Sequence, residues 1–316
     1  MKLPLIAASA MLIGPALAQT MSGDQYRAEA LKLAERSGYM VTYDLQCRSG
    51  SSQPQALFGP GAPPPTKLFD NLYYVGLNSV GAYVVKTSDG LILLDSLNNT
   101  DDVRNTLLPG MKRLGLDPAQ IKYVVISHGH GDHYGGAKYI AGAYKARVIA
   151  SAADWDFMHQ KRPAAAGQSG TLAPNFGEPP ERDVFAEDGQ KLTLGGLTIT
   201  MVLTPGHTPG TLSFIVPVFD KGHPHMLAMW GGTNVPNVDE AQRQYLASFE
   251  HFERFTKPMG VDAELSNHPF VDGSLAKMEA LRANADGPNP FVIGPTRYGD
   301  YTGVLKNCAL AQAAEK

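Results

Sequence analysis

The run Val124-Val125-Ile126-Ser127-His128-Gly129-His130-Gly131-Asp132-His133-Tyr134-Gly135-Gly136 places three histidines and one aspartate within six residues, directly after an apolar stretch. Tyr123 to Ile126 has the length and β-branched content of a buried strand, and the glycines that follow suit neither strand nor helix, so the strand ends in a tight loop. His128 and His130, two residues apart, can project to the same side; Asp132 and His133 follow as the chain bends towards a helix. Imidazoles with a carboxylate and no nearby cysteine form a donor set that suits zinc in a reactive rather than a purely structural site. Four such donors crowd a single ion that keeps an open position. Two adjacent metals relieve the crowding, one on His128 and His130 and the other on Asp132 and His133, provided that further ligands arrive from later in the chain. A polar loop that merely holds histidines explains neither their density nor their spacing.

His-x-His-x-Asp-His after a buried strand resembles the signature of the metallo-β-lactamase superfamily. That resemblance implies a four-layer αββα sandwich, an α/β fold. It also gives roles to two histidines at later strand ends. His207, in Leu203-Thr204-Pro205-Gly206-His207-Thr208-Pro209-Gly210, resembles the third ligand of the first metal; His268, in Leu265-Ser266-Asn267-His268-Pro269, resembles the last ligand of the second. The implied sets are His128, His130 and His207 on one Zn2+, and Asp132, His133 and His268 on another. These use five of nine histidines, and His159, His223, His225 and His251 are expected on surfaces or loops.

Between the last two ligands, many hydrolases of the superfamily carry a bridging aspartate, but this chain has Gly231-Gly232-Thr233-Asn234-Val235-Pro236 and no acid. A threonine at that point with a histidine at position 268 is similar to the third subclass of metallo-β-lactamases. The resemblance implies hydrolysis of a β-lactam amide, with a water acidified by the two cations as nucleophile and Asp132 orienting it. Thr233 and Asn234 are expected to border the substrate. Val235 stands where the subclass commonly has a serine for the substrate carboxylate, which leaves Asn234, Asn267 and Arg297 as candidate donors; Tyr298 and Tyr301 either border the pocket or pack the last helix. No Gly-x-Ser-x-Gly elbow surrounds Ser127, so a serine nucleophile is not expected. The rival on the same scaffold is a lactone or ester hydrolase.

The 316 residues, 43% hydrophobic and 18% charged, suffice for one large domain or two small ones, and a net charge of −3 gives no sign of a nucleic-acid partner. Met1-Lys2, an apolar run from Leu3 to Leu17 and Ala16-Leu17-Ala18 match a cleaved export signal, too short and too rich in Ala and Gly for a membrane span. The expectation is a periplasmic enzyme of a small-molecule substrate, free of the membrane once residues 1–18 are removed. Export permits a Cys47–Cys308 disulfide, and two free buried cysteines fit the sequence equally well.

Residues 19–66 form an extension and linker, with helical composition from Asp24 to Ser37 and Gly, Ser, Pro and Gln from Arg48 to Thr66; residues 67–316 form the main domain. Strands are expected at 72–75, 82–85, 91–94, 123–126, 148–149, 191–194, 197–203, 211–218, 225–230 and 263–265. Helices are expected at 101–114, 135–144, 152–159, 240–255 and 274–283. Such alternation calls for a layered α/β domain. Arg162 to Glu181, without periodicity, is long enough to wall or cover the metals.

Overall fold

The computed structural model describes residues 21–48, 61–160 and 175–316; the expected export signal, most of the expected linker and much of the 162–181 loop lie outside them. Twelve strands are seen among the described residues: β1 (Thr66–Phe69), β2 (Leu72–Tyr74), β3 (Tyr83–Thr87), β4 (Gly90–Leu94), β5 (Ile121–Val125), β6 (Arg147–Ser151), β7 (Val184–Ala186), β8 (Gln190–Leu194), β9 (Leu197–Leu203), β10 (Leu212–Asp220), β11 (His223–Trp230) and β12 (Ala263–Ser266). They form two sheets, ordered β1-β2-β3-β4-β5-β6-β7 and β12-β11-β10-β9-β8. In the first sheet β1 to β4 pair antiparallel and β4 to β7 parallel. In the second only β11 and β12 run parallel.

Alternation along the strands builds three apolar layers. Ile92, Leu94 and Val125 meet Met201, Phe214, Val216 and Met229 between the sheets. Leu91, Leu93 and Val124 face the other way, onto Leu107, Met111, Ile140 and Trp155 of helices outside the first sheet. Val202, Ile215, Ala228 and Trp230 face Tyr245, Phe249 and Phe252 of helix Asp239–Thr256 and Tyr301 and Leu305 of helix Gly294–Ala314. Strands covered on both faces explain the unbroken apolar run of β4. The result is an αββα sandwich.

Two short strands escaped the sequence reading. β1 follows a Pro-rich stretch and opens on Thr-Lys, and β7 has three residues, too few for alternation to register. The helix expected at 101–114 is interrupted: Thr100–Asp102 and Leu108–Arg113 are α-helical, and Val103–Leu107 winds as a π-helix. Pro109 lacks the N–H that would close the preceding α-turn, and a widened turn relieves its ring from the upstream carbonyl. No described helix is long and apolar enough to cross a membrane.

The extension packs on the second sheet's outer layer. Helix Gly23–Ser37 begins in a capping box between Ser22 and Gln25 and ends at Gly38, whose φ of 80° is left-handed. It lies against helix Gly294–Ala314, with Arg27 paired to Glu315 and Arg36 to Asp300. Helix Met40–Cys47 follows, and Cys47 is bonded to Cys308 across a separation of 261 residues, with Cα atoms 4.7 Å apart. The disulfide alternative is thus the one present. Cross-linking so long a loop constrains the unfolded chain, so Cys47→Ser is expected to lower the free energy of unfolding by about 2–5 kcal/mol. Urea denaturation of the variant beside the wild type measures this, and an unchanged midpoint would refute it.

Candidate metal centre

Parallel pairing brings the C-terminal ends of β4, β5 and β6 to one edge of the sandwich, where the end of β5 meets the start of β10 through Leu212 N–H to Ser127 O (2.7 Å). β5 stops at Val125 and the chain turns through His128 and His130 into a single helical turn, Gly131–Tyr134. Gly135 and Gly136 let that turn press on the loop after β4. A Cβ on Gly135 would lie 1.8 Å from Asn98 O, and one on Gly136 2.2 Å from Ser96 O.

Two clusters form there. His128, His130 and His207 make one and Asp132, His133 and His268 the other, the donor atoms of each lying within 4.8 Å of one another. The clusters adjoin, with the His128 and His133 ring centroids 3.9 Å apart. Asp132 Oδ2 is 3.3 Å from His133 Nε2 and 3.8 Å from His268 Nε2.

The hydrogen bonds around the rings set the direction of their lone pairs. His128 Nδ1 donates to Gly231 O (2.7 Å), His207 Nδ1 to Asn234 O (2.8 Å) and His268 Nδ1 to Ser79 O (2.7 Å). A carbonyl only accepts, so in each neutral ring the proton is on Nδ1 and Nε2 offers its lone pair. His128 Nε2 and His207 Nε2 then face each other at 3.2 Å. Two lone pairs at that distance repel unless a cation lies between them. His133 gives its Nδ1 proton to Asp95 Oδ2 (2.8 Å), and its Nε2 is buried without a hydrogen bond. Polar atoms so placed fit metal ions, and the nitrogen and carboxylate donors suit zinc.

Charge follows the same logic. Burial lowers the His128 pKa well below the usual imidazole value and that of His207 to about 3, and the neighbouring histidines add to both effects. Burial also lowers His268. These rings are therefore neutral at physiological pH, each with a lone pair to offer. For Asp132 burial acts upwards but is outweighed by the charge of His133, which holds the carboxyl well below its usual range. For His133 burial acts downwards, and Asp132 and Asp95 overcome it, raising the imidazole to about 10.

Buried carboxylates outside the two clusters support them. Asp95, just after β4 and at a φ of 60°, accepts from Ser127 N (2.7 Å), Ser127 Oγ (2.7 Å) and His133 Nδ1 (2.8 Å). Asp154, in helix Ala152–His159, accepts from Gly129 N (2.8 Å), Gly210 N (2.8 Å) and Thr208 Oγ1 (2.7 Å). Sequence reasoning passed over both. The available signals were an acid closing an apolar strand for Asp95, and the Ser-x-x-Asp helix start at Ser151 for Asp154.

Other sequence candidates are placed differently. Thr233 is 2% exposed, and its carbonyl accepts from Tyr245 OH. The Asn234 residue is exposed, while its backbone carbonyl holds His207. Asn267 is fully buried and donates to Gly231 O (2.6 Å), and Arg297 donates to Ser37 O in the outer helix layer, so neither stands ready to receive a substrate carboxylate. Tyr298 and Tyr301 pack that same layer. His159, His223, His225 and His251 belong to neither cluster; His225 pairs with Asp262 and His251 with Asp188. After the 161–174 segment, Phe176, 44% exposed, rests against Gly131 at the rim of the centre.

Residues 75–218 match the family model of the metallo-β-lactamase superfamily. Among curated proteins the chain is similar to the N-acyl homoserine lactonase AttM of Agrobacterium fabrum, 36% identical over 167 residues, which are 52% of this chain and 61% of that protein. It is also similar to a hydroxyacylglutathione hydrolase of Acidiphilium cryptum, 28% identical over 96 residues, 30% of this chain and 31% of the relative. The match thus spans about six-tenths of the lactonase's length. Among solved structures, BJP-1, a subclass B3 metallo-β-lactamase of Bradyrhizobium japonicum, superposes with a TM-score of 0.63 and 29% identity, covering 77% of this chain and 91% of that one. The native FEZ-1 metallo-β-lactamase of Legionella gormanii gives 0.64 and 26%, covering 77% and 93%. Motif order, layer order and these likenesses converge on one conclusion: the chain carries a domain of the metallo-β-lactamase superfamily.

Proposed function

We propose that this protein is an exported hydrolase that binds two zinc ions and opens β-lactam rings. The observation that carries the reading is the make-up of the second cluster, in which Asp132 is the one carboxylate. The loop from Gly231 to Asn234 turns backbone carbonyls towards His128 and His207 and offers no acid that could bridge two ions. Likeness to two subclass B3 structures over most of their length supports the same choice.

When bound, zinc supplies Lewis acidity towards a carbonyl oxygen and acidifies water. The chain's residues do the rest. Asp132, ionised and beside both His133 and His268, can orient a water by accepting its hydrogen bond at a carboxylate oxygen. His128, His207 and His268 are locked in one tautomer by backbone carbonyls, so their donor atoms need no reorientation during a cycle. Phe176 places an apolar ring against Gly131 at the rim of the centre.

Lactone hydrolysis is the second reading, favoured by the sequence likeness to lactonases. A panel of penicillins, cephalosporins, carbapenems and acyl homoserine lactones separates the two. The expected result is a kcat/KM for at least one β-lactam about tenfold or more above that for any lactone, a margin of roughly 1.4 kcal/mol. The reverse order would establish the lactonase reading. Export is supported by the Cys47–Cys308 bond, which suits an oxidising compartment. Recovery of the protein from the cytosolic fraction of its source would overturn it.

A further inference from the structure

We infer that Asp154 is the positioning residue of the first cluster, the buried carboxylate that ties the loop of His128 and His130 to the loop of His207. The inference depends on reading the clusters as metal sites.

The three ligands of the first cluster come from two loops far apart in sequence, one bearing His128 and His130 and the other bearing His207. Asp154 is 1% exposed and joins them. Oδ2 accepts from Gly129 N–H, between the two histidines of the first loop, and from the hydroxyl of Thr208, next to His207; Oδ1 accepts from Gly210 N–H. The contact is close on both sides. A Cβ on Gly210 would lie 1.9 Å from Ser151 Oγ and 2.6 Å from Asp154 N, and one on Gly129 2.7 Å from the Phe157 ring. The helix presenting Asp154 is itself fixed at its start, where Ser151 Oγ accepts from Asp154 N–H (3.1 Å). The second cluster has further supports, from Asp95 to His133 and from Ser79 O to His268, and Asp95 also holds Ser127 beside His128.

A carboxylate accepting from two backbone N–H groups and a hydroxyl cannot be replaced by an amide without turning a donor towards donors. In Asp154→Asn the two loops should part slightly while the second cluster keeps its own supports. The expected effect is a weakening of zinc at the first site by about 10- to 100-fold, the range seen when groups behind metal ligands are lost, with a smaller change at the second site.

The test is a competition titration of the metal-free full chain with zinc against a chromophoric chelator, repeated with cobalt to record ligand-field absorption. His128→Ala and His268→Ala first identify which binding step belongs to which site. Asp154→Asn should then shift chiefly the step that His128→Ala removes. Thr208→Val deletes one of the three donors and leaves the backbone intact, so it should shift the same step by a smaller factor; it carries the test even where Asp154→Asn fails to fold. Equal weakening of both steps, or no shift in either variant, would overturn the positioning role while leaving the metal sites standing. Wild-type protein that takes up no zinc would instead overturn the metal reading, and the inference with it.

Discussion

Dialysis of the purified protein against a strong chelator is expected to reduce hydrolysis by at least about a thousandfold, with recovery on adding zinc. The magnitude follows from what the side chains can do without an ion. Loss of one preorganised donor to a developing oxyanion costs about 10²- to 10³-fold, and a metal centre supplies both that stabilisation and an acidified water. Among the described residues no side chain of the two clusters replaces either. Of the two clusters' donors, His128 and His207 are neutral with their lone pairs turned on each other, and Asp132 is committed between His133 and His268. Serine-directed inhibitors should have no effect, because Ser127 is fully buried and its hydroxyl donates to Asp95. Turnover that persists in protein shown by elemental analysis to be metal-free would refute the metal-dependent mechanism.

Lys277→Met is expected to lower the free energy of unfolding by about 3–5 kcal/mol at pH 8, the cost of leaving one member of a buried ion pair alone. Glu264 on β12 has no exposed surface; it pairs with Lys277 and accepts from Tyr39 OH (3.0 Å) in the extension. Burial raises its pKa to about 7, although Lys277 and Tyr39 act to lower it. A folded-state value above the ordinary one of about 4.3 means that the folded chain holds the extra proton. Its stabilising contribution is complete below the unfolded pKa and is lost as pH rises through the folded one. Removing Lys277 pushes Glu264 higher still, so the variant should lose stability more steeply than wild type from pH 5 to pH 8, with the smaller deficit at pH 5 where a protonated Glu264 needs no cation. Urea unfolding at both values measures this. Equal deficits would show that the pair contributes packing rather than charge. The site shares the consequence, since β12 leads directly into Asn267 and His268.

The six donors were legible because four lie in one short run and two follow at strand ends in turn-rich contexts, where backbone geometry leaves an imprint on local composition. The layered architecture was legible from the apolar runs of β3, β4, β5, β9, β10 and β11. What escaped depends on contacts between distant segments. Nothing local to Asp154 announces bonds to Gly129 and Gly210, and Asn267 looks like an exposed turn residue until Gly231 O is seen to cover it. Arg297 failed as a substrate donor for the same reason. Its helix lies on the outer face of the second sheet, and composition could not say which face a C-terminal helix covers.

The docking of the first described helix on the last has a consequence for the order in which this chain can fold. Ala30, Ala34 and Tyr39 find their apolar neighbours on helix Gly294–Ala314, and Arg27 reaches Glu315. During synthesis the early helices leave the ribosome long before that surface exists. Contacts of such sequence separation close late, and apolar side chains wait exposed until they do. The same adjacency would let a short tether join Ala314 to the start of helix Gly23–Ser37; with new ends opened at a surface turn, the resulting circular permutant should keep both sheets and the six clustered donors in place.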